Sequence, residues 1–424
     1  MIRFRFIFAV FVFFCLTVAP SAYGADLLSK FRPYISISEE YNDNLDLKST
    51  NKKDAFITTV QPGLKFSNMD KTAGIDLDYS LGIVSYSKET DRNYISHNGS
   101  LNAKYMTSEH VNFYLNESFI RSDEPREREY FTTTADNRYV LATETQREVY
   151  WRNVVAPTIE YQFGPESRLG VNYRNNIYQT ESTTSQNSKE NYINPFLSYW
   201  FDKQNGIYLE YGFTSGDFES DPDLKGHRAN ARYTNRFSAK FSAFVEYTFL
   251  RRDFASPGID YDVHEPDVGM TFTMTPTLTA SAQAGYFWTE PKTGPKRDGI
   301  SYKGELANVD PRTTYKLSLQ GGYTEDFFTS ENLGFNRYHR LTGSLTHLLE
   351  KRISIGCSGS LERADFDADA DRRDTIWGVS GMASCMPLKW LTLSLEVSHR
   401  DRDSNVNSND YTENRGILRI TATY

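Results

Sequence analysis

The chain has 424 residues, with 47 Lys and Arg against 55 Asp and Glu, a formal net charge of −8. It is rich in rings, with 28 Tyr and 28 Phe, yet its mean hydropathy is −0.58. A soluble domain would bury so many rings in an apolar core, but beyond the first twenty residues there are no long apolar runs to build one. Nor are there 18 successive apolar residues to make a membrane helix.

The chain opens with Arg3 and Arg5, an apolar run from Phe6 to Val18, and small residues at Ala22 and Gly24. That order predicts a secretory signal peptide over 1–24, cut before Ala25. Cys15 lies inside the apolar run, which is not the setting of a lipoprotein cut. A short periplasmic segment, 25–32, then leads into a barrel over 33–424.

From "PYISISEEY" (33–41) onward the pattern is strict alternation. Leu169, Val171, Tyr173 and Ile177 face away from Arg168, Asn172, Arg174 and Asn176. Further along, Leu209 and Tyr211 alternate with Glu210, Val245 and Tyr247 with Glu246, and Leu317, Leu319 and Tyr323 with Lys316 and Gln320. Leu391, Leu393, Leu395 and Val397 oppose Thr392, Ser394 and Glu396. Period two over about ten residues predicts strands with one apolar and one polar face.

Short turns at 68–71, 108–110, 164–167, 203–205, 275–277, 310–312 and 386–389 alternate with long polar loops. These loops lie at 43–54, 87–92, 122–147, 180–190, 217–225, 254–260, 290–299, 326–335, 365–374 and 401–410. The layout is ten hairpins, hence 20 strands; 18 results if the turn near Ser238 and the irregular "YDVHEPDVG" (261–269) are discounted. The fold class expected is all-β. In lipid every backbone polar group must be paired, so a spanning sheet has to close into a barrel. The alternating last strand, "RGILRITATY", ends on an aromatic and resembles the C-terminal signal of outer-membrane barrels. It should lie beside the first strand. The short segment before that strand leaves no room for the folded plug of a TonB-type transporter. Trp151, Trp288 and Trp377 near long-loop ends, and Trp200 and Trp390 near short turns, read as interface residues.

The seven His are scattered, and no H-E-x-x-H or G-x-S-x-G setting occurs, so neither catalysis nor a cofactor is expected. If apolar residues face lipid, then Arg152, Arg168, Arg174, Arg228, Arg232, Arg236, Arg340, Arg415 and Arg419 face the lumen, as do Glu160, Glu210, Glu246 and Glu396. Such a row either guides anions through a narrow passage or braces the wall by pairing with those glutamates. The longest loop, 122–147, carries Arg126, Arg128 and Arg138 and is a candidate constriction. Asp365, Asp367, Asp369 and Asp371 form an acidic loop, a weak Ca²⁺ candidate. Cys357 and Cys385, with numbers summing to 742, read as direct partners across a hairpin centred on 371, both outward and a candidate disulfide in an oxidising compartment.

"EEYNDNLDL" (39–47), residues 76–105 and "VNFYLNESFIRSDEPRE" (111–127) resemble the β-barrel porins often encoded beside exopolysaccharide genes in Gram-negative bacteria. The resemblance implies a porin-like passage in the outer membrane, serving polysaccharide export. The alternative is a barrel plugged by its own loops that binds a partner. The expected partners are outer-membrane lipid and lipopolysaccharide, the barrel assembly machinery, and a polysaccharide or export complex, with no nucleic acid.

Overall fold

The computed structural model describes residues 30–124, 147–181, 186–328, 334–366 and 372–424. The signal-peptide segment, Arg126, Arg128, Arg138, Asp367, Asp369 and Asp371 lie outside the described residues.

Twenty strands follow one another along the chain: β1 (Phe31–Asn42), β2 (Ala55–Met69), β3 (Ala73–Tyr86), β4 (Tyr94–Met106), β5 (Val111–Ser122), β6 (Tyr150–Gln162) and β7 (Arg168–Thr180). They continue as β8 (Ser188–Trp200), β9 (Asn205–Phe218), β10 (Leu224–Arg236), β11 (Phe241–Phe254), β12 (Tyr261–Thr273), β13 (Leu278–Pro291) and β14 (Asp298–Val309). The last six are β15 (Thr313–Asp326), β16 (Gly334–Glu350), β17 (Ile353–Phe366), β18 (Arg372–Leu388), β19 (Leu391–Ser404) and β20 (Tyr411–Thr423). Each pairs antiparallel with its successor. β20 returns to β1 from Tyr34↔Thr423 to Asn42↔Arg415, so the sheet has no free edge. Twenty strands about 4.8 Å apart and tilted by roughly 40° close into a ring roughly 40 Å across.

The alternation read from the sequence is the inside–outside code. Leu209, Tyr211, Val245, Tyr247, Leu317, Leu319, Leu395 and Val397 are all exposed, while the polar residues between them line the lumen. Such a surface is unfavourable in water but suits lipid tails. The segment 261–269, which looks irregular in sequence, is part of the continuous strand β12, and a turn does sit at Ser238.

Three local expectations need correction. Trp200 lies on the lumen face of β8, in phase with buried Tyr192, Asn194 and Phe196, so it is not an interface residue. Tyr323 is not outward with Leu317 and Leu319; it is 1% exposed, inside the barrel. Cys357 opposes Gly381, and Cys385 opposes Ile353. Paired numbers in this hairpin sum to 738, so the cysteines are offset by four residues, about 13 Å along the strand. That exceeds what a disulfide spans, and both thiols are free. Both do face outward, because a slip of an even number of residues leaves every side chain on its own face.

Candidate functional site

The lumen face of β6–β11 presents arginines laid over aromatic rings. The Arg152 guanidinium sits 4.9 Å from the Tyr178 ring, and Nη2 donates to the Phe328 carbonyl at 2.6 Å. Arg174 stacks 4.9 Å from Tyr192 and bonds Glu190 at 2.5 Å. Arg168 lies 5.6 Å from Phe196 and 3.3 Å from Glu160. Arg232 pairs with Glu246 and lies 4.2 Å from Phe244. At the short-turn end, Arg236 lies 3.6 Å from the Trp200 ring and donates from both terminal nitrogens to Glu166 at 2.9 and 2.6 Å. Arg228 pairs with Glu210. The alternation places all six on one wall, with carboxylates supplied by neighbouring strands or, for Glu166, by the β6–β7 turn. These glutamates brace the wall, as the sequence allowed, and for Arg168, Arg174, Arg232 and Arg236 ring and carboxylate together fix the guanidinium plane.

Two sequence candidates lie elsewhere. Arg340, on β16, pairs with Glu362 on β17. Arg419, on β20, stands between Ser38 and Ser394 and has no ion pair among the described residues. Exposure along the lumen is graded. Arg152, Asp374 and Arg402 are buried near the long-loop end, whereas Arg168 is half exposed near the short turns. Short turns face the periplasm in outer-membrane barrels, so the lumen is filled towards the outside and open towards the periplasm.

Among the described residues, much of the filling at the outer end comes from a flap that the sequence does not announce. β15 stays with β14 only as far as Tyr302↔Gly321, while its pairing with β16 continues to Asp326↔Gly334. Gly322 has φ +146°, a value that favours glycine. Beyond this hinge the odd-numbered residues of β15, outward below it, turn onto the lumen faces of β11–β13. Tyr323 stacks on Phe335 at 5.1 Å, and both pack with Leu250, Val263 and Phe287. Glu325 accepts from Arg252 at 2.5 Å and from the Tyr261 hydroxyl at 2.7 Å. Phe327 meets Phe254 edge-on at 5.4 Å, and Phe328 stacks on Phe218 of β9 at 5.3 Å before its carbonyl reaches Arg152 of β6. The hairpin tip thus runs from β15 across the outer mouth to β6. The Gly321–Gly322 pair is the sequence signal that could have found it, since adjacent glycines within a strand mark a bend.

The opposite side of the mouth is closed down by other loops. Arg147, buried just before β6, bonds Glu124 at 2.9 Å and Glu40 of β1 at 3.3 Å. Arg415 of β20 joins through Glu124 at 3.3 Å, and Tyr86 and Tyr94 donate to Asp123. Both described ends of the 122–147 loop therefore sit inside the barrel. Leu45, from the β1–β2 loop, packs on Ala55, Ile57, Val84 and Tyr86. In the acidic loop, Asp365 pairs with Arg373 at 2.9 Å, and no group of three metal-type ligands occurs among the described residues.

The family described as "Putative beta-barrel porin 2" matches residues 202–424, more than half of the chain. The chain belongs to this family. It is a porin-like barrel of the bacterial outer membrane. No curated protein matches its sequence. Among solved structures, it is similar to the ferric citrate transporter FecA in the unliganded form, with 11% identity, 93% of this chain and 79% of that chain covered, and a TM-score of 0.50. It is similar also to Pseudomonas aeruginosa OpdK with vanillate, at 9% identity, 93% and 99% coverage and a TM-score of 0.46. Acinetobacter baumannii OccAB4 gives 12% identity, 93% and 98% coverage and a TM-score of 0.42. At these identities the likeness concerns the fold alone.

Proposed function

We propose that this porin-like barrel is a non-enzymatic passage for anionic solutes, restricted at its outer mouth by the β15–β16 flap. The observation that carries this reading is the arginine-on-aromatic wall of β6–β11. On that wall Arg152, Arg168, Arg174, Arg228, Arg232, Arg236 and Arg252 stand among Glu160, Glu190, Glu210 and Glu246, with Glu166 of the β6–β7 turn on Arg236 and Glu325 of the flap on Arg252. A guanidinium held on a ring and one carboxylate keeps N–H donors for a passing anion, and a low-dielectric wall focuses its field into the lumen.

An acidic exopolysaccharide is the cargo that fits best with the resemblance to porins encoded beside exopolysaccharide genes. Its carboxylates would exchange between arginines. The test is efflux from liposomes that hold either an acidic or a neutral oligosaccharide of equal length. Faster release of the acidic one supports the reading; equal release, or preference for the neutral one, refutes it. A barrel that releases neither is plugged, which is the competing account.

A further inference from the structure

On the outward face of β16–β18, the side chains change character over one step. Leu341, Leu361, Trp377 and Val379 are exposed and apolar, a surface suited to lipid tails. One pair further towards the long loops, His339, Arg363 and Thr375 stand in a row, and above them stand Arg337, Asp365 and Arg373. Arg337, His339, Arg363 and Arg373 are all exposed. Arg337 and Arg373 stand on either side of Asp365, each about 5 Å from it, and Arg363, two residues along β17, is a diagonal neighbour of both, about 7–8 Å away; at that spacing their long side chains reach one shared phosphate-bearing headgroup. Asp365 engages Arg373. Arg337 and Arg363 make no hydrogen bond or ion pair among the described residues.

Other outward cations near that height differ. Arg121 is matched by Glu181, Arg251 by Asp253 and Lys292 by Asp260; Lys189 stands directly opposite Asp217, and Lys225 opposite Asp253. The His339 Nδ1 is hydrogen-bonded to the Tyr302 hydroxyl at 2.8 Å. Asp403 of β19, opposite Thr375, flanks the patch on its far side.

We infer that this patch is a binding site for the phosphate groups of a phosphorylated glycolipid in the outer leaflet. Three observations choose this occupant. The patch faces outward, so nothing in the lumen reaches it. It begins one residue pair above exposed Leu361 and Trp377, the height at which lipid headgroups meet lipid tails. Its surplus of guanidinium matches a phosphate in charge and geometry, because two N–H donors of one arginine fit two phosphate oxygens.

The experiment is native mass spectrometry of the purified barrel after exchange into micelles doped with lipid A. The barrel should retain phosphorylated lipid A, and Arg337→Gln/Arg363→Gln/Arg373→Gln should lower retention by at least about tenfold. Lys225→Gln, on an outward lysine of β10 that stands opposite Asp253, should retain it fully. Dephosphorylated lipid A should bind the wild type no better than the triple variant does. Equal retention by the triple variant and wild type overturns the inference, as does equal binding of dephosphorylated lipid. Competition by millimolar inorganic phosphate as effective as lipid itself would assign the site to a free anion instead. Should the triple variant fail to fold, Arg363→Gln alone, checked for heat-modifiable migration, should still show a severalfold loss; unchanged retention there also refutes the site.

Discussion

Truncating Phe335 should open the outer mouth without unfolding the barrel. Phe335 is 5% exposed and touches Tyr323 at 5.1 Å, Tyr261 at 5.9 Å and Phe287 at 6.1 Å. Phe→Ala in such a setting costs about 3–5 kcal/mol. The strand ladder does not depend on this ring, because β16 remains paired with β17 up to Asn336↔Phe366. The loss therefore falls on flap docking, and at about 1.4 kcal/mol per tenfold it shifts the docked-to-undocked ratio more than a hundredfold. Single-channel recording of Phe335→Ala in a planar bilayer should show a larger conductance or longer open dwell times. Backbone amides of 323–328 should exchange with deuterium faster, and heat-modifiable migration should stay as in the wild type. Unchanged conductance together with unchanged exchange would mean that the flap does not restrict the lumen.

Gly322→Val should loosen the same flap, because φ +146° is strained for any side chain at a cost of about 1–3 kcal/mol; exchange at 323–328 no faster than wild type would count against the hinge. Cys357 and Cys385 should both alkylate in unfolded, unreduced protein, and a mass showing them joined would contradict the register. At the periplasmic turn, hydrogen bonding to Arg236 holds Glu166 below the usual carboxylate range. A depressed folded value means that this contact stabilises above the ordinary glutamate pKa, near about 4.3, and is lost as pH falls through the folded value. Acid unfolding of the wild type should therefore steepen below that point relative to Glu166→Gln, and parallel curves would refute the clamp.

Alternation made the barrel legible because lipid on one side and lumen on the other impose the same period-two code on all twenty strands. Arg168, Arg174, Arg228, Arg232 and Arg236 were placed inside by that code alone, since inside and outside are properties of a single strand. Contacts across the lumen are not. Nothing in the local pattern of Glu325, Phe327 or Phe328 reveals that they meet Arg252, Phe254 and Phe218, because these contacts depend on the fold of β15 at Gly322. Trp200 was misread because an aromatic near a strand end suits the membrane interface and a lumen wall equally. The cysteines were misread because register depends on where the turn is centred, and a slip of four residues, being even, leaves the hydrophobic pattern intact.

The claim that the β6–β11 wall favours anions is tested most directly by the reversal potential of the barrel across a tenfold KCl gradient. Wild type should reverse at the sign set by chloride, and Arg168→Gln/Arg232→Gln/Arg236→Gln should move the potential towards or through zero. A cation-selective wild type, or a potential unaltered in the triple variant, would contradict the account.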